Sequence, residues 1–105
     1  PIVFICAGKE DRFSLDDALC VGMLLRALVE APAAGERVLN DASRAALSLS
    51  RSFELNAELL RRTAAGAALV EVGLGDDLTV CAELDRHDLV PVMDDRMIRL
   101  PAAGG

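Results

Sequence analysis

The chain has 105 residues, of which 52% are hydrophobic and 27% are charged, and its formal net charge is −6. This length fits one compact domain with a modest core, and the lack of a signal peptide or of about 20 consecutive apolar residues argues against secretion and membrane spanning and favours the cytoplasm. The negative charge and the mere three aromatic residues argue against nucleic acid as a partner, because nothing offsets phosphate repulsion and few side chains are able to stack on bases.

The opening residues 2–6, Ile-Val-Phe-Ile-Cys, are continuously apolar and rich in β-forming residues. This pattern predicts a buried strand that is covered on both faces. The chain enters this strand directly from Pro1, without an initiator methionine, so we expect a portion of a longer protein. The apolar run breaks at Ala7 and Gly8, and a helix follows.

The first helix is expected to begin at Ser14, a good N-cap residue. Asp17 lies three residues further on, as in a capping box, and Asp16 adds favourable charge to the first turn. Residues 18–29 are apolar on nearly every side, which predicts deep burial, and Gly22 is interpreted as a point of close packing.

Further helices are predicted at about residues 38–49 and 56–65, with Gly66 ending the latter. A short helical turn is indicated for residues 67–72, and Asp76 or Asp77 is expected to open another that reaches Leu84.

Residues 89–93 and 96–100 flank Asp94 and Asp95 with the spacing of a two-residue β-hairpin. Pro91 lacks an N–H group and places the first strand at an edge or gives it an irregular start. Residues 101–105 are expected to form a frayed tail. The predicted fold is therefore α/β: a buried N-terminal strand, several helices and a C-terminal β-hairpin, forming a single domain over residues 1–105 within a larger mixed α/β fold.

The three cysteines are odd in number and widely spaced, without a C-x-x-C pair: Cys6, Cys20 and Cys81. This arrangement predicts buried free thiols in a reducing compartment, not a disulfide framework.

The turn between the first strand and the first helix is the candidate binding site. It places backbone N–H groups, a helix N-terminus and charged side chains at the end of a strand, where α/β proteins often bind anions. Lys9 and Arg12 are candidates to hold phosphate or sulfonate, and Gly8 would let an oxyanion approach the backbone closely.

Several different short motifs follow one another along the chain in a particular order. They are CAG at 6–8, FSLDD at 13–17, LND at 39–41, Gly66, GLGDD at 73–77, CAELD at 81–85 and VPV at 90–92. Together they resemble the C-terminal half of the 2-phosphosulfolactate phosphatase family, and the resemblance spans nearly all of the chain.

The resemblance implies a magnesium-dependent phosphatase that converts 2-phosphosulfolactate to 3-sulfolactate on the way to coenzyme M. It also implies that the N-terminal half of the enzyme, absent here, is a partner that supplies most metal ligands. Because Mg²⁺ prefers hard oxygen ligands, the candidate residues take the following roles: catalytic Asp17 and Asp16; substrate-binding Gly8, Lys9, Arg12 and Ser14; metal-binding Asp17 and Glu10.

Alternatives remain open for each of these residues. Ser14, Asp16 and Asp17 could serve only as helix caps, and the whole chain could be a noncatalytic binding or assembly module, for which a homodimer is one arrangement. Four further aspartates surround the last predicted helix and form a second acidic group: Asp76, Asp77, Asp85 and Asp88. They could bind a metal ion, but the simpler interpretation is that they are the solvated start of that helix. His87 is interpreted as a surface loop residue in preference to a catalytic base.

Overall fold

The computed structural model describes residues 1–32 and 35–102, so the predicted tail is described only as far as Ala102. Within these ranges the helices and strands are α1 Leu15–Glu30, α2 Asp41–Ser52, α3 Ala57–Arg62, α4 Ala64–Glu71, α5 Asp77–Cys81, β1 Val92–Asp94 and β2 Met97–Arg99. The mixed α/β class, with helices followed by a C-terminal hairpin, is confirmed. Among these helices, none has the length and the apolar run that a membrane crossing needs.

Helices α1 and α2 form the principal packing unit. A Cβ atom at Gly22 would overlap the carbonyl oxygen of Ala46 and would lie 2.9 Å from the Cβ of Ser50, so only glycine permits this approach. One turn further along α1, Arg26 Nη1 donates to the carbonyl oxygen of Ser50 at 3.2 Å. Gly22 is thus confirmed as a point of close packing.

The apolar core is small. Its buried members are Ala18, Leu19, Leu25, Ala46, Leu60 and Leu78. The prediction that α1 lies deep was wrong, because α2 and the later helices cover only part of its surface and Leu24 is 49% exposed. The prediction of buried cysteines was also wrong: all three thiols are free, but all are exposed.

Thr63 separates α3 from α4 and caps the second of them. Its buried hydroxyl donates to the carbonyl oxygen of Leu60 at 2.8 Å and accepts from the N–H of Gly66 at 3.0 Å. The prediction that Gly66 ends a helix was wrong, because Gly66 lies within α4. A side chain there would overlap the Leu60 carbonyl oxygen, so glycine serves close approach at this bend.

The predicted buried strand at residues 2–6 is not formed in this chain. Val3 is 77% and Ile5 is 91% exposed. Within the described residues no other segment pairs with this one, because the observed sheet contains only β1 and β2. A strand needs a neighbour for its backbone, and here the neighbour is lacking.

The hairpin forms one residue later than predicted. Val92 pairs with Arg99 and Asp94 with Met97, so the turn residues are Asp95 and Arg96 in place of Asp94 and Asp95. Both have positive φ, 44° and 62°, as a type I′ turn requires. Pro91 precedes the ladder, in agreement with an irregular start of the strand.

Candidate active site

The segment after residue 6 folds into a tight turn. The backbone groups of Lys9 and Arg12 exchange two hydrogen bonds of 3.0 Å, and the two residues between them, Glu10 and Asp11, have φ values of 52° and 59°. Gly8 has φ of 73°, and a Cβ atom there would lie 2.8 Å from the Arg12 carbonyl oxygen. Glycine is therefore required for the chain to enter this turn.

Asp17 joins the turn to α1. Its Oδ2 accepts a hydrogen bond of 2.8 Å from the backbone N–H of Gly8, nine residues earlier. The predicted capping box is wrong: the Ser14 side chain accepts no backbone N–H and instead donates to Oδ1 of Asp16. The two carboxylates are thus oriented by different partners, and each keeps one oxygen that accepts no hydrogen bond from the described residues.

Asp16 and Asp17 lie at the edge of a groove of about 430 Å³ between α1 and helices α3 to α5. Thr63, between α3 and α4, and Gly66, in the first turn of α4, are on its wall. The rest of the lining is largely apolar and includes Leu19, Met23, Phe53, Leu60, Leu69, Leu78 and Leu84. The groove is large enough for a small organic ligand.

The charges in the groove are all negative. Asp16, Asp17 and Glu83 line it, and no lysine or arginine does. A bare anion would be repelled by these carboxylates, whereas the N-terminus of α1 contributes only fractional positive charge. A divalent cation or basic side chains from elsewhere are therefore needed before a phosphoester is stable beside Asp16 and Asp17.

The predicted site residues divide into two groups. Gly8, Ser14, Asp16 and Asp17 come together through the hydrogen bonds just described. Lys9, Glu10 and Arg12 instead belong to the turn; Glu10 and Arg12 are exposed, and Lys9 is half-buried.

None of the turn's charged side chains lines the groove. Within residues 1–32 and 35–102, neither Lys9 nor Arg12 forms an ion pair. Their assignment to substrate, and that of Glu10 to metal, stay predictions.

The described part of the chain brings no three histidine, cysteine, aspartate or glutamate side chains into a group that could hold a metal ion. Mg²⁺ in proteins is commonly held by only one or two carboxylates, with water and substrate oxygens completing the coordination. The free oxygens of Asp16 and Asp17 suit this role.

Two groove residues were missed by the sequence interpretation. Thr63 was read as part of a helix that Gly66 ends, although its spacing to Gly66 is that of an N-cap and its third following residue. Glu83 lies in the CAELD motif but was passed over in favour of the neighbouring aspartates; Arg86 pairs with it at 2.9 Å. The motif itself was the available signal.

The second acidic group is consistent with the simpler interpretation. All four of its aspartates are exposed, and so is His87. Asp76 precedes α5 without a side-chain capping hydrogen bond.

Comparison with known proteins adds a separate line of information. Residues 1–96 match the family model described as 2-phosphosulpholactate phosphatase. The chain is 36% identical over 96 residues to a Thermus thermophilus protein named probable 2-phosphosulfolactate phosphatase, covering 91% of this chain and 39% of that protein.

Proteins of the same name from Symbiobacterium thermophilum and Prochlorococcus marinus (strain MIT 9303) are also similar. The first is 34% identical over 102 residues, covering 94% of this chain and 42% of the relative. The second is 41% identical over 90 residues, covering 82% and 36%. The chain thus spans about two fifths of the length of the relatives it matches.

Proposed function

We propose a phosphatase function from one premise: the chain belongs to the 2-phosphosulpholactate phosphatase family. The chain is, in this proposal, one portion of a magnesium-dependent enzyme that hydrolyses a small acidic phosphomonoester. Its substrate is 2-phosphosulfolactate or a close analogue, and its products are 3-sulfolactate and phosphate. The observation that carries the site is the position of Asp16 and Asp17 on the groove, each with one oxygen unused.

The proposal gives a defined part to each of four residues around the start of α1: Gly8, Ser14, Asp16 and Asp17. Asp16 and Asp17 would hold Mg²⁺, which supplies positive charge to the phosphoryl oxygens when bound. Ser14 orients the carboxylate of Asp16, and the Gly8 N–H orients that of Asp17, so both ligands are positioned before substrate arrives. The positive end of α1 favours a bound phosphate next to Asp16 and Asp17.

Lys9 and Arg12 are proposed to approach the sulfonate or carboxylate of the substrate from the turn. Neither side chain forms an ion pair within the described residues, so both positive charges remain able to bind an anion. An arginine fork suits a bidentate grip on such groups. The remaining metal ligands would come from the three fifths of the relatives' length that this chain does not cover. We place the reaction in the cytoplasm, as a step towards coenzyme M where that cofactor is made.

The test is hydrolysis of 2-phosphosulfolactate by the natural polypeptide at its full length, with and without Mg²⁺. We expect Asp17→Asn to lower kcat by roughly 100-fold or more, because it removes a ligand charge next to the phosphoryl group. The amide oxygen still accepts from the Gly8 N–H, so the turn and the unfolding temperature should be retained.

Asp76→Asn is the matched control, since Asp76 is an exposed aspartate at another helix start and makes no capping bond. It should leave kcat unchanged. Full activity in Asp17→Asn would remove Asp17 from the site. The absence of Mg²⁺-dependent hydrolysis in the unaltered polypeptide would overturn the function itself.

A noncatalytic assembly module is the second candidate function. It is favoured by the extent of exposed apolar surface, which includes Val3 and Ile5. In that case the polypeptide would bind its partner normally but would hydrolyse no phosphomonoester.

A further inference from the structure

Residues 2–6 lie against the α1–α2 pair but lack a strand partner within the described residues. Phe4 is half-buried and lines a cleft of about 340 Å³ together with Val21 of α1 and Ala46 of α2. Val3 also borders this cleft but is 77% exposed, and Ile5, which does not border it, is 91% exposed. The segment is therefore covered in part by the helices and leaves apolar side chains uncovered.

The backbone of this segment is equally unused. Among the described residues, no N–H or carbonyl group of residues 2–7 bonds to another backbone group outside a helix or strand, and the segment belongs to neither. Unpaired backbone groups flanked by β-branched side chains form a template for the addition of another strand. The first backbone hydrogen bond after it is that from Gly8 to Asp17.

We propose that residues 2–6 pair with a strand from the part of the family fold that lies outside these 105 residues. The relatives are long enough to supply it, because 58% to 64% of their length has no counterpart here, the complement of the 42% and 36% that are covered. That length also suffices for a layer over Val3 and Ile5.

A second copy of this chain fits less well. Two copies pairing through one short segment would form an isolated two-stranded ribbon, which is marginal in water, whereas three or more strands with a covered face are stable. The proposal depends on family membership and not on the substrate. Because the segment leads directly into Gly8, pairing would also fix the turn that Asp17 holds.

The experiment uses the natural polypeptide at its full length and measures amide hydrogen exchange without substrate. We expect the amides of residues 3–6 to be protected at least as strongly as those of α3, a helix of only six residues. Exchange at the rate of an open chain would overturn the proposal, whatever the phosphatase activity. Protection that appears only with rising protein concentration, together with a dimer mass, would also overturn it, since a second copy would then be the occupant.

Substitution provides the independent check. Ile5→Lys should lower Tm by roughly 5–10 °C in the full-length polypeptide, because a lysine would enter a covered apolar face. Val72→Lys is the control: Val72 is 69% exposed in the loop after α4, and its Tm should change by less than about 2 °C. Should Ile5→Lys fail to fold, Ile5→Ala is measured in its place with an expected loss of roughly 3–6 °C. Equal shifts for the residue 5 and residue 72 variants would contradict the proposal.

Discussion

The α1–α2 pair and the segment of residues 2–6 are both strongly apolar, yet among the residues that the structure describes only the helices find partners. In α1 every interior backbone group bonds within the helix, so the helix needs only one covered face, which α2 supplies beside Gly22. Residues 2–6 need a neighbouring backbone as well as cover on two faces. Phe4 meets α1 and α2, whereas Ile5 is left exposed.

The hairpin lies between these two cases. Strands β1 and β2 provide each other with a backbone partner, but all six of their residues are exposed. Apolar content therefore does not by itself determine burial. What matters is whether the same chain supplies both the hydrogen-bond partner and the covering layer.

The largest expected loss of stability comes from a substitution that disrupts the packing of α1 against α2. Gly22→Ala should lower the free energy of unfolding by about 2–3 kcal/mol, because its methyl group would overlap the Ala46 carbonyl oxygen and force α1 and α2 apart. Equilibrium unfolding in urea measures the loss. Gly35→Ala is the control, since a Cβ atom at Gly35 meets nothing within 4 Å. If Gly22→Ala is as stable as Gly35→Ala, the helices are not packed as described.

A smaller effect tests how far α2 depends on its own cap. Asn40 Oδ1 accepts from the Ser43 N–H at 2.8 Å, so Asn40→Ala should cost about 1 kcal/mol and Asn40→Asp should restore most of it. Urea unfolding of the three proteins compares them directly. An unchanged stability in Asn40→Ala would mean that packing against α1 determines the start of α2 without the cap.

The smallest expected effect concerns the turn between β1 and β2, the two strands that do find a backbone partner in this chain. Arg96 occupies the second turn position with φ of 62°, and Arg96→Gly should stabilise the hairpin by roughly 0.5–1 kcal/mol because glycine adopts positive φ without strain. Cross-strand nuclear Overhauser effects between residues 93 and 98 should strengthen. Val72→Gly is a control outside the hairpin and should leave them unchanged. Weaker cross-strand contacts in Arg96→Gly would show that side chains, not the turn, fix the register.

Local rules predicted the start of α1 at Ser14, the close packing at Gly22 and the presence of a C-terminal hairpin, because capping, steric size and turn chemistry depend on a few neighbouring residues. The sequence motifs also indicated the family to which the chain belongs. The grouping of Gly8, Ser14, Asp16 and Asp17 followed from their closeness along the chain, although their hydrogen bonds differed from those of a capping box.

Other features depend on residues far apart and were decided only by the tertiary structure. The groove beside Asp16 and Asp17 needs Thr63 and Glu83, which lie far along the chain, before α4 and after α5, and no local pattern specifies which helices meet. Gly66 illustrates the same limit, since a glycine that ends a helix and one that admits a neighbouring carbonyl group are identical in sequence. Residues 2–6 are the clearest case. Their composition determined what they require, which is a paired backbone and two covered faces. Whether those requirements are met depends on which other chain segments are present.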